Sequence, residues 1–112
     1  MNMYELKLAT QNQLRDTRLA MLDMDYLLAL EKLPAAEKRQ AALRLSNVQL
    51  AYLKMRKAKL SSINEELKEN EPDLLKGIKS LDKALKDLKK AKKVLDAAGS
   101  LLSIVGRIVS LI

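Results

Sequence analysis

Residues that end helices are scarce in this chain, and this scarcity constrains its fold more than any other feature. Its 112 residues include two prolines and three glycines, and all the glycines lie after position 76. Few turns imply long helices. The apolar residues are almost all Leu, Ile, Val, Met and Ala, with three tyrosines as the only aromatics. Strands favour β-branched and aromatic residues, so this composition predicts an all-α protein.

The two prolines divide the chain into three segments. A proline disfavours α geometry in the residue before it and fits well at the first position of a helix. We therefore predict a single helical domain, 1–112, of three long amphipathic helices in an up-down-up bundle or a coiled-coil-like hairpin arrangement, with helices at about 2–32, 35–69 and 72–111. Two interpretations of Pro34 stay open, in which it either reverses the chain or only kinks it.

The third predicted helix carries the clearest periodicity. Its apolar positions advance by alternating steps of four and three residues, which is a heptad seam. One doubled step of three, around Leu88, predicts a local overwinding called a stammer. The seam keeps its phase through Gly99, so we expect the helix to continue there. The seam residues are Leu74, Ile78, Leu81, Leu85, Leu88, Ala91, Leu95, Ala98, Leu102, Val105, Val109 and Ile112.

A row of lysines accompanies the seam and gives the chain a candidate basic surface. The row repeats at three and four residues, as one helix face requires, and consists of Lys76, Lys79, Lys83, Lys86, Lys90 and Lys93. Such a row suits a solvated face, an acidic partner or anionic lipid headgroups. The segment has no aromatic residue to stack on bases, so nucleic acid is not an expected partner.

The C-terminal segment, 97–112, has more apolar circumference than a three-helix bundle needs. It is too short for an ordinary transmembrane helix and contains Arg107. We predict that it forms an interface with a partner or a membrane through Leu95, Leu101, Leu102, Ile104, Val105, Ile108, Val109, Leu111 and Ile112. Small residues that would let another helix approach closely are Gly99, Ser103, Gly106 and Ser110.

The first predicted helix is polar at its start and strongly apolar over 19–33. In an up-down-up bundle this apolar half would meet the apolar end of the third helix. Asp23 and Asp25 interrupt it. Two positions apart on a helix, the two carboxylates would point away from each other and could not share an ion. We expect Asp25 to be paired with a lysine of a neighbouring helix.

The residue types argue against catalysis. The chain has no His and no Cys, which removes imidazole acid-base chemistry and Cys/His metal sites, and we expect no enzyme activity, cofactor or metal. The start of the sequence lacks the apolar run of a secretory signal, so a cytoplasmic location is expected. We predict a helical interaction or assembly protein that oligomerises or binds a helical protein through its third helix. The alternative is a membrane-active protein that binds anionic lipid.

Overall fold

The computed structural model describes residues 1–111, and its regular structure is entirely α-helical. Five helices follow one another along the chain: α1 (Met3–Ala20), α2 (Met24–Glu31), α3 (Ala35–Lys57), α4 (Leu60–Ala84) and α5 (Ala91–Val105). The all-α prediction is confirmed. Residues 1–111 form five helices where three were predicted, because a break interrupts each predicted helix. The breaks lie at 21–23, 58–59 and 85–90.

The first predicted helix breaks at Met21–Asp23 and restarts as α2. The Asp23 side chain accepts a hydrogen bond of 2.9 Å from the backbone N–H of Asp25, which caps the N-terminus of α2. This cap uses the backbone N–H of Asp25 and not its carboxylate, and the expected ion pair between the Asp25 carboxylate and a lysine is not formed within residues 1–111. The break changes the direction of the chain at an acidic residue, without a proline or glycine.

Pro72 does not start a helix, contrary to the prediction. It lies inside α4, which runs without interruption from Leu60 to Ala84. A proline in a helix interior removes one backbone hydrogen bond, at a typical cost of about 3 kcal/mol. The heptad pattern explains why the helix still continues, because it extends backward through the proline: the buried residues are Ile63, Leu67, Leu74, Gly77 and Leu81. Ending the helix at Pro72 would expose part of this stripe.

Pro34 lies between α2 and α3, at the N-cap of α3, and the two later breaks contain neither proline nor glycine. Ala58 and Lys59 adopt extended backbone angles, with ψ of 134° for both, and separate α3 from α4. A turn over 85–90 separates α4 from α5, and it falls where the heptad seam has its doubled step of three. The irregular spacing therefore marks a reversal of the chain and not an overwound helix. The predicted continuation through Gly99 is confirmed, since α5 includes it.

The four longer helices pack in the cyclic order α1, α3, α5, α4, and α2 packs against α5 and α3. The α4–α5 pair is antiparallel, because Gly77 faces Leu101 while Asp73 pairs with Arg107. α3 and α5 run in the same direction, as shown by the Glu37–Lys92 ion pair at 3.5 Å and by Arg44 lying over Gly99.

α1 contributes a core face despite its polar composition. Its buried residues are Leu6, Thr10, Gln13, Leu14 and Thr17. The two threonine hydroxyls donate hydrogen bonds of 2.8 Å to the backbone carbonyls four residues earlier, those of Leu6 and Gln13. Burying a hydroxyl is costly unless it is hydrogen-bonded, and these bonds remove that cost. The polar half of the first predicted helix is thus partly interior.

Candidate interaction surfaces

The apolar C-terminal segment, predicted to be an interface, lies mostly inside the molecule. Ile104 and Leu111 pack against the core, Ile112 lies outside the described residues, and the other six predicted interface residues are buried: Leu95, Leu101, Leu102, Val105, Ile108 and Val109. The reason is that α5 contacts α2, α3 and α4. Three neighbours account for the wide apolar circumference without any partner, so in this fold these side chains are not available for binding.

The small residues of this segment do not form a helix-packing row. Ser103, Gly106 and Ser110 are exposed. At Gly99, the space that a Cβ atom would take is filled by the side chain of Arg44 and not by the backbone of another helix. A Cβ atom there would lie 2.7 Å from the nearest guanidinium nitrogen of Arg44. The close approach of two helices occurs instead at Gly77 of α4. A Cβ atom at that position would lie 3.2 Å from Leu101 Cδ1.

The predicted lysine row is exposed along its whole length, but it is not one straight strip. Lys76, Lys79 and Lys83 lie on α4, whereas Lys93 lies on α5 beyond the turn. Since α4 and α5 are antiparallel, Lys93 folds back toward Lys83. The sequence predicted a linear basic surface, and the structure converts it into a bent one.

The bend creates a shallow cavity, which we call the α4–α5 groove. It has a volume of about 370 Å³ and is lined by Ser80, Lys83, Ala84, Asp87, Lys90, Lys93 and Ala97. The uncharged lining residues are all small, and the charged ones are three lysines and one aspartate. Asp87 is 3.9 Å from Lys90, an exposed ion pair that is worth little in water. The groove is therefore basic and open to side chains.

A group of exposed apolar side chains lies across the α4–α5 turn from the α4–α5 groove. We name the α2 patch for five large apolar side chains at the end of α1, in the α1–α2 turn and on α2. Their exposed fractions are 54% for Leu19, 54% for Leu22, 65% for Met24, 38% for Leu27 and 57% for Leu28. Single exposed apolar residues are common, whereas five of them within ten residues make this segment a candidate interaction surface.

The α2 patch follows from the way in which α2 is anchored. Tyr26 is its single buried residue, and Ala29 and Leu30 pack against the core from the same side. At 100° per residue, Met24 and Leu28 then fall on the opposite, solvent-facing side, and Leu27 lies on its flank. α2, which lies in the apolar half of the first predicted helix, contacts α5, but most of the large side chains of that half stay outside the core.

Acidic side chains surround the α2 patch. Asp23, Asp25 and Glu31 are all exposed, and α2 itself contains no basic residue. Lys32 and Lys89 line a small cavity beside Asp25 and Leu28. Glu31 lies 3.7 Å from Lys38 of α3. The patch is thus an apolar centre with three carboxylates and two lysines at its edge, an excess of one negative charge in a protein whose net charge is +7.

The sequence contained a signal for this surface that periodicity alone did not isolate. Apolar residues occupy Met24, Tyr26, Leu27, Leu28, Ala29 and Leu30 in succession. A helix that is apolar on all sides needs cover on all sides. The structure covers α2 on one side only, so the excess appears at the surface.

Tyr26 gives a direct test of how α2 is held. Its ring is buried and its hydroxyl has no hydrogen-bond partner. An unpaired buried hydroxyl costs free energy, so we expect Tyr26→Phe to leave stability unchanged or to raise it by up to about 1 kcal/mol. Thermal and urea unfolding at pH 7 measure this. A loss of more than about 2 kcal/mol would mean that the hydroxyl makes a stabilising contact.

The same substitution has a pH signature. Burial raises the pKa of Tyr26 above its ordinary value of 10.0. The unfolded chain then ionises at lower pH than the folded one, so the stability linked to the protonated phenol is fully present below pH 10. It is lost as the pH rises toward the folded-state pKa. We expect the stability difference between wild type and Tyr26→Phe to change only above about pH 10, and in favour of Tyr26→Phe.

Among residues 1–111, no group of three or more carboxylate, His or Cys side chains is arranged to hold a metal ion. No helix within the same range combines the length and the hydropathy needed to cross a bilayer. Comparisons with protein-family models, with curated proteins and with solved structures give no match to this chain.

Proposed function

We propose that this chain is a non-enzymatic helical interaction protein that binds a protein partner through the α2 patch. The observation that carries the proposal is the solvent-facing side of α2, where Met24, Leu27 and Leu28 are exposed although the helix is firmly anchored by Tyr26. This proposal keeps the expected class of function but places the interface on α2. The C-terminal segment does not carry it, because its apolar side chains already fill the core.

The free energy expected from burying the α2 patch is only slightly larger than the cost of association, so other contacts must contribute to binding. Burying a fully exposed aliphatic side chain is worth about 1.5 to 3 kcal/mol. Five side chains that are roughly half exposed would then contribute about 5 kcal/mol. Association costs at least about 4 kcal/mol in lost freedom. The α2 patch alone gives weak binding, and stable binding needs complementary charges at its acidic edge or a second contact surface.

The charges around the α2 patch favour a protein over a lipid surface. Helices that lie in membrane interfaces typically carry Lys or Arg on their polar face, where they attract anionic headgroups. α2 instead carries Asp25 and Glu31, and Asp23 precedes it. These carboxylates would repel such headgroups and would attract a basic protein surface.

A photo-crosslinking experiment tests the proposal. Leu28→benzoylphenylalanine places a photoreactive ring in the α2 patch, and Glu69→benzoylphenylalanine on the exposed side of α4 is the matched control. After irradiation of cells that naturally express the protein, we expect position 28 to give a discrete protein adduct and position 69 to give none. The adduct's mass distinguishes a second copy of this 12.6 kDa chain from another protein.

A specific pair of results would contradict the proposal. If position 28 gives no protein adduct, and the purified protein floats with vesicles of neutral and anionic phospholipid, the α2 patch binds lipid and the proposal is wrong. A variant with Met24→Gln, Leu27→Gln and Leu28→Gln should lose either kind of binding while keeping its helicity, because these side chains contribute little to the core.

A further inference from the structure

We infer that the α2 patch binds the α4–α5 groove of a second copy of this chain, in a two-fold dimer where each copy both inserts its patch and receives the other's. This inference rests on the proposed function and identifies the partner. Three observations carry it: the chemical match between the two surfaces, their opposite charge and their position on either side of the same turn.

The chemical match is between large side chains and a cavity lined by small ones. The α2 patch projects Met24, Leu27 and Leu28 into solvent. The uncharged residues that line the groove are Ser80, Ala84 and Ala97, which leave about 370 Å³ open. A leucine side chain can enter a groove of this size and bury its methyl groups against alanine.

The charges of the two surfaces have opposite signs. Asp23, Asp25 and Glu31 surround the patch, with Lys32 and Lys89 as the basic residues next to them. Lys83, Lys90 and Lys93 line the groove, with Asp87 as the acidic one. Two copies of a protein with net charge +7 repel each other unless oppositely charged surfaces meet. Residues 1–33 contain five acidic and four basic side chains, whereas 72–112 contain four and nine, so the patch lies in the only acidic third of the chain.

The position of the two surfaces favours a closed dimer over an open chain of copies. Lys89 of the α4–α5 turn lies beside Asp25 and Leu28, while Asp87 and Lys90 of the same turn line the groove. The patch and the groove are therefore neighbours. A two-fold axis close to the turn would place each patch opposite the other copy's groove, so both contacts form at once and no binding surface is left over.

Charge reversal tests the inference on the purified full-length chain. The patch-reversed variant carries Asp25→Lys and Glu31→Lys, and it keeps Asp23 because that residue caps α2. The groove-reversed variant carries Lys83→Glu and Lys93→Glu. Matched controls make the same charge changes elsewhere on exposed positions: Glu65→Lys with Glu69→Lys, and Lys57→Glu with Lys59→Glu.

Light scattering coupled to size exclusion reports the result. We expect wild type and both controls to have about twice the mass of the 12.6 kDa chain, and each reversed variant to be monomeric, with at least tenfold weaker self-association. An equimolar mixture of the two reversed variants should recover a 1:1 dimer, because the reversed patch of one then faces the reversed groove of the other, and the second contact joins two unchanged surfaces. Circular dichroism must show the same helicity for all proteins.

Several outcomes would overturn the inference. Wild type that stays monomeric up to 0.5 mM, a dimer that survives both reversals, or a mixture that stays monomeric would each contradict it. If a reversed variant loses helicity, Asp25→Asn with Glu31→Gln replaces it and should weaken dimerisation while retaining the fold. If the charge-reversal test fails but position 28 forms an adduct with another protein, the dimer inference is wrong and the proposed function stands. If position 28 forms no adduct, both are wrong.

Discussion

Val105→Asp is expected to lower the free energy of unfolding by at least about 4 kcal/mol, because it places a carboxylate among packed aliphatic side chains. Val105 has 0% of its surface exposed and lies in the last turn of α5, a helix that contacts three others. Small domains are typically stable by about 5 to 15 kcal/mol, so much of the variant would be unfolded at 37 °C. Urea unfolding followed by circular dichroism measures the loss.

Ser103→Asp is the matched control for this substitution. It introduces the same side chain two residues earlier in α5, at an exposed position. We expect a change within about 0.5 kcal/mol. If the two variants were equally stable, α5 would not be packed as the structure shows, and the buried assignment of the C-terminal segment would have to be given up.

Leu101→Ala is expected to cost about 2 to 5 kcal/mol, since it leaves a cavity beside Gly77, where α4 and α5 approach each other closely. Leu101 is fully buried and its Cδ1 lies over Gly77. The reverse change, Gly77→Val, forces new atoms into the same space and should cost about 1 to 3 kcal/mol. Each variant alone therefore destabilises the α4–α5 pair for opposite reasons, one by a cavity and the other by overlap.

The double variant decides whether the two residues share that space. In the chain with both substitutions, the valine occupies volume that the leucine has vacated, so the combined loss should be smaller than the sum of the single losses by about 1 to 3 kcal/mol. Calorimetric melting of the four proteins gives this coupling. Strict additivity would show that the helices separate or shift at this point, in disagreement with their observed contact.

The sequence predicted the helical class and much of the core, but it did not predict where helices begin and end. All the seam residues from Leu74 to Val109 are buried or packed against the core. The seam marks what is interior in both a straight helix and a hairpin, so it could not distinguish them. Pro72 was given too much weight as a helix start, because one lost backbone hydrogen bond is offset when an apolar stripe continues on both sides.

The candidate surface was harder to predict for a related reason. An apolar helix face in a sequence indicates that this face is to be buried. It does not show whether the chain itself or a partner buries it. The C-terminal segment and the apolar half of the first predicted helix gave the same signal, and only packing distinguishes them. α5 has neighbours on three sides, whereas α2 has cover on one. The chain itself therefore covers most of the C-terminal segment, where the sequence predicted an interface, whereas 19–28 keeps the exposed apolar surface on which our proposal rests.

The α2 patch also has a consequence for the amount of this protein in a cell. Chaperones and proteases continuously sort chains that display apolar surface, and modest differences in exposure change abundance several-fold. A copy whose α2 patch is uncovered displays Leu19, Leu22, Met24, Leu27 and Leu28 even when it is fully folded. Such copies would be degraded faster than bound ones. The half-life of the protein would then depend on the occupancy of α2, and excess synthesis would be removed without any dedicated regulator.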